Sequence, residues 1–206
     1  TLQDYVTLFG KRGPKFEPGS QYEYSNYGFI LLGNIIEKVS GESYYDYVRD
    51  HIFKPAGMTS TASPPEGEAT AQCAIGYTRE DSKDPLRPNV DTLPYRGTSA
   101  GGGYSTVMDL LRFATALESH KLLSAQNTEL LTTGKVVVGP VSKYAYGFGE
   151  RIVDGVRQIG HSGGAPGMNG DLEIFPHSGY VVTALANQNP PSAGVITEFI
   201  GSRLPK

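Results

Sequence analysis

At 206 residues, 38% hydrophobic and 19% charged, the chain has the length and composition of one globular domain. Folding at this size buries roughly 70% of the unfolded surface, so neither a disulfide nor a metal staple is required. A net charge of −3 without a Lys/Arg cluster leaves no electrostatic footprint for nucleic acid, the single cysteine, Cys73, rules out an internal disulfide, and no apolar run approaches the roughly 18 residues of a membrane span.

In chain order, LQDYVTLF is a short apolar stretch and GKRGPKFEPGS a turn-rich connection. From Tyr27 to Val39, apolar residues recur at helical spacing (Phe29, Ile30, Leu32, Ile35, Ile36, Val39). This predicts a helix with Asn26 as N-cap and Gly41 as C-cap. Ser43 and Asp46 have capping-box spacing and open a second helix to about Phe53, broken by Pro55 and Gly57. Residues 60–98, rich in Pro, Gly, Thr and Asp, read as a long excursion with one short strand near Ile75 to Thr78. A loop of that length is uncommon unless it is functional. After Gly101-Gly102-Gly103, Thr106 and Asp109 form another capping box for a helix to about Ser119, and a shorter helix spans Ser124 to Thr132.

Beyond Lys135 the pattern alternates. Strands are predicted over Tyr146 to Ile152, Arg157 to His161, Gly170 to Phe175 and Tyr180 to Ala186, with turns at Asp154-Gly155 and His161-Ser162-Gly163. Short connections make these an antiparallel meander, and Val195 to Leu204 reads as a closing helix. Helices first and a small sheet last define an α+β class. One domain is expected, mostly helical over residues 1–140, with the strands and last helix in residues 141–206.

Chemistry has few places to sit. The triple glycine lacks the G-x-x-x-x-G-K pattern and a preceding strand, so it reads as a turn and not a phosphate cradle. His51, His120 and His177 stand alone without metal-ligand spacing, and no metal site is expected. Tyr24 and Asn26 fit two descriptions: a core tyrosine beside a helix cap, or a phenol general base beside a substrate-orienting amide. A phenol ordinarily ionises near pH 10, so the second description needs cationic neighbours. His161, followed by Ser162, Gly163 and Gly164, also fits two. One is a tight hairpin with a solvated imidazole; the other is a strand edge whose bare backbone admits a ligand and lends an N–H to an oxyanion. The residues alone leave both pairs open.

The order of the pieces narrows the choice. FEPGSQYEYSNYGFILLGNIIEKVSG, then AGM, GGGYSTVMDLLRFA, YGFGE, GHSGGAPG and a strand ending ALANQ resembles the serine β-lactamase-related superfamily over essentially the whole chain. That superfamily includes class C β-lactamases, D-Ala-D-Ala carboxypeptidases, and related esterases and D-aminopeptidases. The resemblance implies a β-lactamase/transpeptidase-like fold and cofactor-free acyl transfer on a small ester, amide or β-lactam substrate. It implies that Tyr24-Ser25-Asn26 is the family's Tyr-x-Asn element, with Tyr24 as base and Asn26 orienting the substrate carbonyl. His161-Ser162-Gly163 matches the Lys-Thr-Gly element or its His-x-Gly variant, so His161 would line the cleft. Gly164 matches the position whose N–H forms half of the oxyanion hole.

Two departures shape the expectation. The family's nucleophile is the serine of an S-x-x-K element several dozen residues before the tyrosine, yet only 23 residues precede Tyr24 and no S-x-x-K occurs in the chain. The chain therefore reads as the C-terminal portion of such an enzyme, inactive alone. Three outcomes follow: an active assembly with a second chain carrying the S-x-x-K part, a ligand-binding pseudoenzyme, or an isolated fragment whose sheet edge self-associates. The second departure is His161 in place of the family's lysine. An imidazole, ordinarily titrating near pH 6.5, is a weaker partner for a carboxylate and shifts the expectation from β-lactamase toward esterase or peptidase. Compartment is unknown from the residues, and the resemblance is compatible with an extracytoplasmic one.

Overall fold

The computed structural model describes residues 1–65, 67–68 and 72–205. The apolar stretch at the start is a helix, α1 (Leu2–Phe9), capped by Thr1, whose side chain accepts from the Asp4 N–H. Leu2 is buried against Gly33 of α2 (Asn26–Ser40), where an added Cβ would lie 2.7 Å from Leu2 Cδ1 and strike Ser99. The N-cap of α2 is Ser25, which corrects the assignment of Asn26 to that role. Ser25 is extended (φ −140°, ψ 111°) and its Oγ accepts from the Gly28 N–H at 3.1 Å. Asn26 is the first helical residue, so its amide is released from capping. Gly41, at φ 77°, ends the helix as a left-handed cap.

Ser43 caps α3 (Tyr44–Val48), which continues through one π-helical segment at Arg49–Phe53 into α4 (Lys54–Ala56). Pro55 does not break this run, which stays helical through Ala56 and ends at Gly57 in the left-handed region at φ 78°. The excursion that follows holds two short paired strands, β1 (Tyr77–Thr78) and β2 (Arg87–Pro88), where one was expected. Thr106 caps α5 (Val107–Glu118) by accepting from the Asp109 N–H, but the box is half made. The Asp109 carboxylate instead leaves the helix to accept from the Ser60 N–H at 2.7 Å and the Thr61 hydroxyl at 2.8 Å. The shorter helix α6 spans Ala125–Thr132.

Six antiparallel strands form one sheet in sequential order: β3 (Val136–Gly139), β4 (Ser142–Tyr144), β5 (Gly149–Val153), β6 (Val156–Ala165), β7 (Met168–Phe175) and β8 (Tyr180–Ala186). The meander is as expected, with two additions. The sheet begins at Val136, ahead of residue 141, with β3 and β4 not foreseen, and the strand expected over Tyr146 to Ile152 starts three residues later, as β5, after a bend with Gly147 at φ 81°. Asp154 (φ 50°) and Gly155 (φ 79°) make the β5–β6 hairpin, both left-handed as a type I′ turn requires.

The turn expected at His161-Ser162-Gly163 is absent. Those residues belong to β6, which runs on to Ala165 and turns at Pro166-Gly167. Glycine density misled the reading. The glycines on either side of His161-Ser162-Gly163 answer crowding, not turning: a Cβ on Gly160 would run into the Leu172 carbonyl, and one on Gly164 into Pro190.

The closing helix α7 occupies Ser192–Gly201, about three residues earlier than expected. It covers the face of β7 that carries Asp171, with Thr197 donating its hydroxyl to that carboxylate. The opposite face carries Leu172 and Ile174, which pack with Ile159, Phe148 and the buried Ala114 and Leu117 of α5. This alternation along β7 is the period-2 signature of a strand buried on both sides. Ala116, also on α5, faces Ala56 and Met58 near α4. Helix α5 thus joins the sheet to the α3–α4 layer, and α2 stands beside the sheet with its first turn toward β4 and β6.

Candidate active site

Tyr24 lies one residue before the Ser25 cap, so the start of α2 fixes where its phenol points. Its ring packs on Phe29 one turn into the helix (centroids 5.7 Å apart) and remains solvent-exposed. Across the opening it meets His161 of β6 at 6.1 Å and Tyr144 of β4 at 6.0 Å, the latter edge-on. Tyr22 adds a further ring on Tyr144 at 5.7 Å. The fold therefore brings Tyr24 and His161 together from distant parts of the chain, with Asn26 two residues on from Tyr24 as the first residue of α2.

Among the described residues, the strand edge beside this opening is unpaired. The last β5 partner of β6 is Gly149, opposite Gly160, whereas β6 continues to Ala165 against β7 alone. His161, Ser162, Gly163 and Gly164 all lie on that exposed extension. Its orientation follows from one side chain: Asn169 of β7 donates Nδ2–H to the Gly163 carbonyl at 2.6 Å. In a trans peptide the next N–H points opposite to the carbonyl, so the Gly164 N–H faces away from β7, toward the open edge. Asn169 also accepts from the Ala193 N–H at 2.7 Å, tying this strand end to the start of α7. Sequence reasoning did not single out Asn169, because nothing in the residue order shows that its amide spans two elements.

The two edge glycines should respond differently to a methyl group. Around Gly163 none of the described residues lies within 4 Å of an added Cβ, whereas at Gly164 it would collide with Pro190 and sit 3.2 Å from Asn169 Nδ2. Gly164→Ala is expected to lower stability by about 1–3 kcal/mol through overpacking. Gly163→Ala should change it by no more than about 0.5 kcal/mol. Urea midpoints of the two variants, compared side by side, check the contrast.

His161 makes two polar contacts. Its Nδ1 lies 2.6 Å from the Ser162 carbonyl and its Nε2 lies 3.0 Å from the Tyr144 hydroxyl. Burial, together with the nearby phenols of Tyr24 and Tyr22, pushes the Tyr144 hydroxyl up to about 12. Tyr22 is also raised, by burial first and then by Tyr24. Tyr144 and Tyr22 are thus held further toward the protonated phenol than an ordinary tyrosine. Tyr144 and Tyr22 went unnoticed in the sequence. The only available signal was tyrosine spacing in QYEYSNY and KYAYGFG, which gains meaning once β4 is recognised as a strand of its own.

The long excursion is anchored beside the same edge by asparagine amides. Asn89, buried, donates Nδ2–H to the Pro166 carbonyl at 2.8 Å, next to Gly167, where a Cβ would press on Asn89. Asn189 accepts from the Gly167 N–H at 2.7 Å, and Asn187 donates to the Ile75 carbonyl at 2.9 Å. Segments around residues 75–76 and 89 are thus fastened to the β6–β7 turn and the end of β8. Part of the excursion becomes a wall flanking the unpaired edge.

Helices packed on an antiparallel meander, a Tyr-x-Asn helix entrance, and a His-x-Gly strand edge together define a β-lactamase/transpeptidase-like protein. The chain belongs to the Beta-lactamase family, whose sequence model matches residues 2–202. It is 32% identical over 204 residues to PbpX of Bacillus subtilis, named as a penicillin-binding protein, covering 97% of this chain and 49% of that one. A penicillin-binding protein from Bacillus halodurans superposes with a TM-score of 0.92 at 31% identity, covering 98% of this chain and 63% of the other. A D-stereospecific amidohydrolase from Streptomyces superposes with a TM-score of 0.83 at 26% identity, covering 99% and 61%. The chain thus spans about half the length of PbpX and under two thirds of these solved relatives.

Proposed function

We propose that this chain is the base-bearing and edge-strand portion of a serine acyl hydrolase whose nucleophilic serine and lysine lie on an S-x-x-K segment outside it. The observation that carries this reading is that Tyr24, at the entrance of α2, and His161, on the stretch of β6 that also holds Gly164 and has no β5 partner, meet with ring centroids 6.1 Å apart. In the complete site, the serine oxygen attacks an ester or amide carbonyl and its proton passes to Tyr24. The lysine of the same segment is the cation that the phenol needs to act near neutral pH. Asn26 orients the acyl group, and the Gly164 N–H supplies half of the oxyanion hole, with the serine's own N–H as the other half. The tetrahedral adduct expels its leaving group with a proton returned from Tyr24, and water then releases the acyl group from the serine. His161 lines the cleft. Relatives named as an amidohydrolase and as penicillin-binding proteins support small amides, esters or β-lactams as the substrate class.

Open apolar faces support a partner segment. On α2, Leu32 and Ile35 are each 54% exposed and Val39 is 83% exposed, in a stripe at helical spacing. On α7, Val195, Ile196 and Phe199 are likewise exposed, and β8 is one of the two edge strands of the sheet. Exposed apolar stripes of this kind mark surfaces that another part of a fold covers.

The test is a denaturing mass spectrum after reaction with a fluorophosphonate serine probe. A second, labelled peptide beside the unlabelled 22.2 kDa chain, with hydrolysis of a nitrophenyl ester, is the expected result. Detection of this chain alone, unlabelled and without turnover, would refute the hydrolase reading for the protein as it exists.

A further inference from the structure

The two contacts of His161 assign work to a residue outside the recognised motifs. A carbonyl oxygen only accepts, so the 2.6 Å contact with the Ser162 carbonyl places the ring hydrogen on Nδ1. In the neutral imidazole Nε2 is then the acceptor, and the hydroxyl 3.0 Å away on Tyr144 must donate to it. The Tyr144 phenol is held from several sides. Its backbone pairs with Val136 and Gly149, its carbonyl accepts from the Lys135 N–H at 2.8 Å, and its ring is packed by Tyr22, Tyr24 and His161.

The geometry points to Tyr144 as a positioning residue that occupies the Nε2 lone pair of His161, holding the imidazole against the open strand edge and leaving Tyr24 as the sole proton acceptor of the site. This rests on the reading of His161 as a wall of an acyl-transfer cleft. The division of labour is between two phenols about 6 Å apart. Tyr144 is committed as a donor, and its high ionisation range keeps it protonated. Tyr24 is exposed and has ring neighbours, but its hydroxyl is not engaged by His161. A histidine at this position would otherwise compete with the tyrosine for the serine proton, since a free neutral Nε2 is the better base near neutral pH. Tyr144 removes that competition.

The test needs no turnover. A neutral imidazole with a free lone pair is carbethoxylated by diethyl pyrocarbonate, and peptide mass spectrometry reads the rate at each of the four histidines. At about pH 7.5, where ordinary imidazoles are neutral, His161 is expected to react severalfold more slowly than His177, although both are exposed. Tyr144→Phe, which keeps the ring and removes the hydroxyl, should bring His161 up to the rate of His177 while leaving His51, His120 and His177 unchanged. Those three, all exposed, are the internal standards for reagent activity, and an unchanged urea midpoint shows that the variant folds. Tyr24→Phe should leave His161 slow, because the Tyr24 ring touches the imidazole without bonding Nε2. The proposal is overturned if His161 in the unsubstituted chain reacts as fast as His177, if Tyr144→Phe leaves its rate unchanged, or if Tyr24→Phe raises it equally. Loss of ester hydrolysis in the assembled protein would bear on the hydrolase reading and would not alter these rates.

Discussion

Tyr24→Phe in the serine-containing assembly is expected to reduce ester turnover by about 10²–10⁴-fold, the usual contribution of a positioned general base. The fold should be unaffected, because phenylalanine keeps the ring contacts with Phe29, Tyr144 and His161 and loses only an exposed hydroxyl. KM should move far less than kcat, since a base acts on the transition state and contributes little to ground-state binding. Labelling by a fluorophosphonate should slow in parallel with turnover, because both need the serine deprotonated. Tyr22→Phe is the matched comparison: its ring packs on Tyr144 at a similar distance and is assigned no proton to carry. Turnover that survived Tyr24→Phe would show that another group takes the serine proton. The combined Tyr24→Phe, Tyr144→Phe variant would then show whether the freed His161 nitrogen is that group.

Why the helix entrance could be read from the residues, while much of its surroundings could not, follows from the kind of interaction involved. The α2 stripe, the Gly41 cap and the Asp154-Gly155 hairpin are local: each depends on residues within one or two turns, and composition reports them directly. The Tyr-x-Asn and His-x-Gly elements stood out because their order matched a known pattern, not because spacing shows that residues 24 and 161 meet. Most of the misreadings are positions where tertiary contacts override a local rule. Gly160 and Gly164 look like a turn and are strand residues pressed by Leu172 and Pro190. Ser25 and Asn26 are equally good caps on paper, and the choice between them decides whether an amide is free to face a substrate. Tyr144 and the asparagine anchors at 89, 169 and 189 act across sequence separations that no periodicity encodes. Asp109 is the plainest case: its spacing from Thr106 announces a capping box, but its carboxylate serves another part of the chain.

That diversion makes Asp109 the position with the largest expected effect on stability. Its side chain is 0% exposed and accepts from the Ser60 N–H, the Thr61 hydroxyl and Arg112 at 2.7–2.8 Å. Residues 60 and 61 begin the excursion that walls the site, so one carboxylate fastens that segment to the central helix α5. Asp109→Ala leaves the Ser60 N–H without its acceptor and opens a small void, at an expected cost of about 3 kcal/mol. Arg112 adds little to this figure, because it is half in solvent. Burial by itself would raise the Asp109 carboxyl, but the hydrogen bonds from Thr61, Ser60 and Arg112 outweigh burial and hold it below the ordinary range. A carboxylate depressed in the folded state stabilises fully above its unfolded pKa, near 3.9. That contribution is lost as pH falls through the lower, folded value. Glu150, depressed despite its own burial by Arg157 at 2.7 Å and the Gly134 N–H at 3.0 Å, adds to the same acid limb. Urea midpoints measured from pH 7 down to about 3 should therefore fall in the unsubstituted chain and fall less steeply in Asp109→Asn, which keeps the shape and removes the titration. An unchanged acid slope in that variant would mean that the carboxylate does not carry the joint. The Thr61 hydroxyl, which also bonds Ser105 at 2.8 Å, would then be the next contact to remove.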